Sequence, residues 1–228
     1  MALLTELIQH PDYVCDSRLG YMNEIINYSF KCEWPHSWEH MNKAFPHWNY
    51  AYAQKFCDWM MSGSTDMEEL AQINPSVRRF MPGAEIPANF STAYGPRLLS
   101  QLEGNLREIQ RDNSRRVVFH ILDKSDDFLR DINTNLEYPC CSDIVIFKRD
   151  ADIGFHYNID VVATFRSSNA YITMLYDLYN ISKFVEAFVT ALGRLDTVSY
   201  KLNSLSFQIA SSHIYANNIE QAKKLIGC

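Results

Sequence analysis

No apolar run in this sequence approaches the ~20 residues of a membrane-spanning helix, and no internal repeat, low-complexity tract or Gly/Ser-rich linker interrupts it. A spanning helix, a solenoid and a string of tethered modules are therefore not expected. The opening stretch MALLTELIQHPDYV has early acidic and polar residues and no basic start. It does not read as a signal peptide, and a cytoplasmic protein is the expectation. The six cysteines, Cys15, Cys32, Cys57, Cys140, Cys141 and Cys228, are scattered and include no CxxC pair. That pattern is neither a disulfide framework nor a structural zinc site, and reduced thiols are expected. His36 and His40 are four residues apart and could share a helix face, but no third ligand accompanies them, so no metal is expected. Positive charge is scarce too. The net charge of -6 argues against direct nucleic-acid binding, although local clusters of arginine leave room for a small anionic ligand.

What is present is 228 residues that are 47% hydrophobic, enough for one globular domain over residues 1–228 with a sizeable core. The first half reads as helical, with helices over about residues 17–31, 36–44, 48–61 and 65–73. A Pro/Gly-rich loop follows over 82–96, and Pro96 opens a helix through Arg111. The second half changes character. Residues 116–122, 143–148 and 154–165 read as strands, the latter two as a hairpin turning at 149–152. Residues 170–192 form a helix too apolar for a surface position, 199–216 return to strand, and 219–226 close the chain as a short helix. The expected fold class is α+β, or mixed α/β.

Chemistry-bearing residues sit at the junctions. Arg115 and Arg116 stand between helix and strand, where a guanidinium fork suits a phosphate, although a solvated turn explains them equally. Arg166-Ser167 ends one apolar strand just before the buried helix, a place for an anion or simply for a cap. Cys140 follows Pro139 at a strand edge; beside arginines its thiolate would be a nucleophile, and otherwise it is a small core residue. His213 and Tyr215 alternate onto one face of the last strand and could bond a sugar hydroxyl. Asp177 lies inside the apolar helix, where an ionised carboxylate is costly unless a partner or ligand meets it.

Taken together, Tyr94-Gly95, residues 112–118, Pro139-Cys140, the stretch RSSNAYITMLYDLY from Arg166 and the stretch HIYANNIEQ from His213 resemble the thymidylate synthase family, including the phage deoxycytidylate hydroxymethylases. The resemblance covers roughly residues 48–221. It implies a large mixed sheet with flanking helices, a long buried helix, and a homodimer formed through the sheet. It further implies that Cys140 adds to carbon 6 of a pyrimidine nucleoside monophosphate. Carbon 5 then attacks the one-carbon unit of 5,10-methylenetetrahydrofolate. By the same resemblance Arg166 and Ser167 bind the phosphate, Arg115 and Arg116 cross to the other subunit's site, His213 and Tyr215 hold the sugar, and Tyr94 serves proton removal at carbon 5.

Asp177 stands eleven residues after Arg166, where thymidylate synthases carry asparagine and deoxycytidylate hydroxymethylases carry aspartate. A carboxylate accepts from the amino group of cytosine and, when protonated, donates to its ring nitrogen. Asn180-Ile181-Ser182 mimics the synthases' Asn-Ile-Ala, but matching it needs a three-residue insertion that rotates the helix face by about 300°, so the ungapped alignment is preferred. On the cofactor side the family positions fall on Asn169, Thr173 and Tyr176, with Asn169 in place of an aspartate and Thr173 in place of a glycine. Phe56 stands where the family has its catalytic glutamate, and Asp58, the nearest acid, lies on a different helical face. Arg18 is the candidate for the family's N-terminal phosphate-loop arginine, and the C-terminal tail that closes over folate has no counterpart. The expected activity is a dCMP (or CMP) 5-hydroxymethylase. The alternatives are a cytosine or uracil nucleotide 5-methylase and a folate-independent nucleotide-binding homologue.

Overall fold

A computed structural model describes every residue except 18, 35–37, 81–89, 91, 127–137, 153 and 228, and the side chains of residues 79 and 80 are likewise outside it. Seven strands form one mixed sheet: β1 (Tyr13–Cys15), β2 (Met22–Glu33), β3 (Val118–His120), β4 (Cys141–Asp150), β5 (Tyr157–Phe165), β6 (Ser168–Asn169) and β7 (Tyr200–Tyr215). The order is β1-β2-β7-β5-β4-β3, with β6 pairing β7 beyond the end of β5. All neighbours are antiparallel except β5 and β6 against β7. Eight α-helices are present among the described residues: α1 (Ala2–Gln9), α2 (Trp38–Ala44), α3 (Tyr50–Ser62), α4 (Met67–Ile73), α5 (Tyr94–Ser100), α6 (Leu102–Arg111), α7 (Met174–Gly193) and α8 (Ala216–Ile226). The α+β expectation holds, and no helix among the described residues is long and apolar enough to cross a membrane.

Alternation builds the sheet. Ile159, Val161, Ala163 and Phe165 of β5 are buried, each separated by a half-buried residue, and Ile144 and Ile146 of β4 meet them in register. That face is covered by α7, whose Phe184 and Phe188 meet Phe119 edge-on at 4.9 and 5.5 Å. Val145, Phe147, Val162 and Thr164 lie on the opposite face and are partly exposed. The parallel β5–β7 pair requires a crossover, which the twenty-residue α7 supplies.

The helix expected over 17–31 is overturned: β2 runs through it. Tyr28, Phe30 and Cys32 alternate with Ser29 and Lys31, a period of two that suits a strand, and β2 pairs along its length with β7. Asn27 kinks it with φ 59°, a left-handed conformation that asparagine tolerates. The helix expected from Pro96 to Arg111 is broken at Gln101, between α5 and α6. The turn joining β4 to β5 falls later than 149–152, because β4 continues through Asp150. The buried helix starts at Met174, since Ser168 and Asn169 first pair with Ser212 and His213 as β6. Most of the loop expected over 82–96 lies outside the described residues, as do Arg18, His36 and Cys228.

Candidate active site

At the N-terminal ends of β4 and α7 the sheet, α3, α4 and α5 enclose a cavity of about 620 Å³. Tyr94, Cys140 and Asp177 all line it, together with Thr173, Tyr176 and Asn180. A volume of that order accommodates a nucleotide-sized ligand.

Tyr94 opens α5 and is held by the chain it faces. The backbone N–H groups of Cys140 and Cys141 both donate to its hydroxyl oxygen at 3.0 Å. Burial pushes the Tyr94 phenol well above its ordinary pKa, outweighing the backbone N–H that favours the anion. The hydroxyl therefore stays protonated. Gly95, the next residue, permits this placement: a Cβ there would lie 1.9 Å from the Met60 carbonyl oxygen of α3.

Cys140 is half-buried and sits just before β4. None of the five described cysteines is disulfide-bonded. Arg166 follows β5 and wraps around the cysteine's loop. Its Nε donates to Pro139 O at 2.8 Å, and its Nη2 donates to Tyr138 O at 2.9 Å and towards Cys140 Sγ at 3.7 Å. The Nη1 group of this exposed side chain makes no hydrogen bond among the described residues, and its donors suit an anion. Ser167 continues the row, its hydroxyl 3.4 Å from His213 Nδ1, and the His213 ring meets Tyr215 edge-on at 5.1 Å. Burial holds His213 below the usual imidazole range, opposed in part by Glu24. Arg166 thus meets the cysteine, and Ser167, His213 and Tyr215 follow one another beside it, but none of the four is on the cavity wall.

Asp177 lies in the first turn of α7 and makes no side-chain hydrogen bond or ion pair among the described residues. Burial alone raises its pKa from 3.8 to about 7. By area the residue is half-buried, and it lines the cavity.

Other candidates go elsewhere. Arg115 and Arg116 are exposed at the far end of β4, in a shallow basin with Arg149, about 30 Å along the strand from Cys140. Arg116 is engaged by Glu108 at 2.8 Å. The chain's own cavity is beyond their reach. Asn169 is buried, and its side-chain oxygen accepts from the N–H groups of Tyr171 and Ile172 at 3.0 and 2.8 Å, capping the turn into α7. Thr173 and Tyr176 line the cavity, and the Tyr176 hydroxyl accepts from Asn49 N–H at 3.1 Å. Phe56 also lines it, which leaves Asp177 as the single carboxylate on the walls among the described residues. No group of three metal-ligating side chains occurs among those residues.

Three further polar side chains lie on the walls; of these only Asn180, in Asn180-Ile181-Ser182, is a candidate from sequence, where the ungapped alignment passes over it, and Trp59 and Thr92 are not. Trp59 Nε1, Thr92 Oγ1 and Asn180 Oδ1 are buried without a hydrogen-bond partner among the described residues. Asn180 could have been found: a 300° rotation forward is 60° back, so residues three apart share a helix face. Trp59 and Thr92 carry no sequence signal that separates them from ordinary core residues. No family model matches this chain, and no curated protein matches it in sequence.

Proposed function

We propose that the protein is a pyrimidine nucleotide C5 one-carbon transferase of the thymidylate synthase type, acting on dCMP (or CMP) as a 5-hydroxymethylase. The observation that carries the reading is that Cys140 and Asp177 line one cavity, with the Tyr94 hydroxyl fixed to the backbone of the cysteine. In this reading the Cys140 thiolate adds to carbon 6 of the base, and the Arg166 cation at 3.7 Å favours the sulfur anion. Asp177 accepts from the exocyclic amine. Near pH 7 its protonated fraction also donates to the ring nitrogen, which draws electrons from carbon 6 as the sulfur attacks. Carbon 5 becomes the nucleophile. Tyr94, kept neutral by burial, relays the carbon-5 proton through its hydroxyl and does not act as a phenolate base. Arg166 and Ser167 take the phosphate, and His213 and Tyr215 take the sugar.

The cavity wall formed by Tyr52, Phe56, Trp59 and Tyr176 suits a flat pterin ring, and Thr173 and Tyr176 would border it. Methylenetetrahydrofolate, when bound there, supplies a one-carbon unit at the oxidation level of formaldehyde. With Phe56 in place of an acid, proton transfer within the cavity falls to Asp177, Tyr94 and water. The Asn169 oxygen, spent on its cap, favours a second reading, a nucleotide-binding homologue that does not use folate. In the leading reading the partly exposed sheet face of β4 and β5 packs against a second copy in the cytoplasm, and Arg115 and Arg116 serve that copy's phosphate.

The test is tritium release from carbon-5-labelled dCMP, CMP and dUMP, with and without folate. Folate-dependent release from a cytosine nucleotide is expected. Release from dUMP alone refutes the role of Asp177. The second reading is favoured if Cys140 forms no covalent adduct with a 5-fluoropyrimidine nucleotide and folate does not alter nucleotide binding. Product mass separates hydroxymethyl from methyl by one oxygen.

A further inference from the structure

Arg166 is held from two directions by a residue to which the chemistry above gives no task. Tyr138 is half-buried and stands two positions before Cys140. The Arg166 guanidinium lies over its ring, with Cζ 5.0 Å from the ring centroid. That is inside the ~6 Å within which an aromatic face attracts a cation. The Tyr138 carbonyl accepts from Arg166 Nη2 at 2.9 Å, and the Pro139 carbonyl accepts from Nε at 2.8 Å. Pro139 fixes its own φ and favours an extended backbone at Tyr138, so a stiff segment presents both carbonyls and the ring. The two carbonyls take one edge of the guanidinium plane. A hinge about that edge would stay open without the ring, and the ring closes it from one face.

We infer that Tyr138 is a positioning residue whose ring holds the Arg166 guanidinium so that one cation serves both the Cys140 sulfur and the phosphate of a ligand. The inference rests on the reading of Cys140 as the nucleophile of a nucleotide site. Nη2 stands 3.7 Å from Cys140 Sγ, while Nη1 makes no hydrogen bond among the described residues. Arg166 is exposed, and a long exposed side chain has many rotamers open to it. A nucleotide phosphate carries more charge than a thiolate and matches the guanidinium fork, so it would draw an unrestrained Arg166 off the sulfur. The stacked ring resists that swing, because the attraction is lost as the cation leaves the aromatic face. The sulfur then keeps its counter-charge with the ligand bound, which is when attack on carbon 6 needs the anion. An aliphatic side chain could pack in the same place but would offer the cation no negative face. The tyrosine hydroxyl has no part in this role.

The experiment follows alkylation of Cys140 by iodoacetamide across a pH series, read by peptide mass spectrometry, in the full-length protein, Tyr138→Phe and Tyr138→Leu. Titration calorimetry gives the dCMP dissociation constant of each. Near-UV circular dichroism establishes that the variants keep their tertiary packing, and Tyr138→Met takes the place of the leucine variant if that does not fold. The phenylalanine variant should match wild type in both measurements. In the leucine variant the alkylation midpoint should rise by about half a pH unit and dCMP affinity should fall by about two- to fivefold, the equivalent of one exposed cation–π contact. The midpoint reports the charge beside the sulfur, so a ring that merely filled space would leave it unmoved. An unchanged midpoint or an unchanged dCMP affinity in the leucine variant, or a phenylalanine variant that behaves as leucine does, overturns the role of Tyr138 and leaves the nucleotide site standing. A wild-type protein that binds no dCMP overturns the nucleotide reading itself, and the inference with it.

Discussion

Asp177 offers the sharpest test, because its cost to folding can be worked out without knowing the ligand. Its carboxyl rises from 3.8 to about 7 through burial alone. That is about three pH units at ~1.4 kcal/mol each, so ionising it in the folded protein costs about 4 kcal/mol relative to the unfolded chain. Between these two values the folded protein retains a proton that the unfolded chain has released. Stability therefore falls as pH rises through that window, and the full penalty is present above about pH 7. Asp177→Asn removes the ionisation and keeps the shape. In urea denaturation of the ligand-free protein, the variant and wild type should differ little near pH 4. The variant should become more stable by up to about 4 kcal/mol at pH 8. Parallel pH profiles would mean that the carboxyl is solvated or paired, and would refute the reasoning. The same substitution replaces an acceptor by an amide that also donates. It should lower the preference for dCMP over dUMP, measured as the ratio of kcat/KM in tritium release, by about tenfold to hundredfold. An unchanged ratio would remove Asp177 from base recognition.

Tyr94→Phe withdraws the oxygen that accepts from Cys140 and Cys141 N–H; it should destabilise the fold by about 1–3 kcal/mol and slow adduct formation at Cys140, read by denaturation and by intact mass after reaction with a 5-fluoropyrimidine nucleotide. Gly95→Ala drives a methyl against the Met60 carbonyl; the expected loss is about 1–3 kcal/mol or more, and a variant as stable as wild type in a thermal melt would contradict the close α3–α5 contact. Arg97→Met strips the bidentate partner, at 2.7 Å on both oxygens, from the buried Asp126 carboxylate; a loss of about 3–5 kcal/mol is expected, and a neutral effect in urea denaturation would show that this pair is not what ties α5 to the loop after β3.

The strands of the second half were legible because each buries one face, and burial of one face writes alternation into the sequence. The buried helix was legible from its sustained apolar character. The region of β2 was not, because its first residues, Met22–Ile26, mix polar and apolar side chains without a clean period. Its alternation starts only after Asn27, and its identity is fixed by pairing with β7, nearly 190 residues away in sequence. The break at Gln101 was invisible for a related reason: Gln101 has ordinary helix propensity, and its side chain turns aside to bond the backbone of His120 on β3. Cys140, Arg166, Ser167, His213 and Tyr215 were legible as junction residues, and the structure places them at or near strand ends. Thr92 was not, because a single hydroxyl near a helix start is ordinary and only the fold makes it an unpartnered atom on a cavity wall.

A common physical thread joins the legible and the illegible parts of the site. The apolar surface of α7 seals the sheet, and the same helix places Asp177 and Asn180 on a cavity wall, where neither the Asp177 carboxyl nor the Asn180 amide oxygen has a hydrogen-bond partner among the described residues. Selection for stability alone would replace both by leucine, since each carries a desolvation cost that nothing among the described residues offsets. In the proposed reading that cost is offset by the bound nucleotide. The uncompensated polarity of α7 is therefore itself information about the ligand. In the proposed reading the ligand brings a polar group to Asp177, is flat enough to enter between α7 and the Phe56–Trp59 wall, and brings its reacting carbon within reach of Cys140. An amino-bearing pyrimidine meets all three conditions, whereas a purely apolar ligand would give the Asp177 carboxyl no partner beyond the described residues, among which it has none.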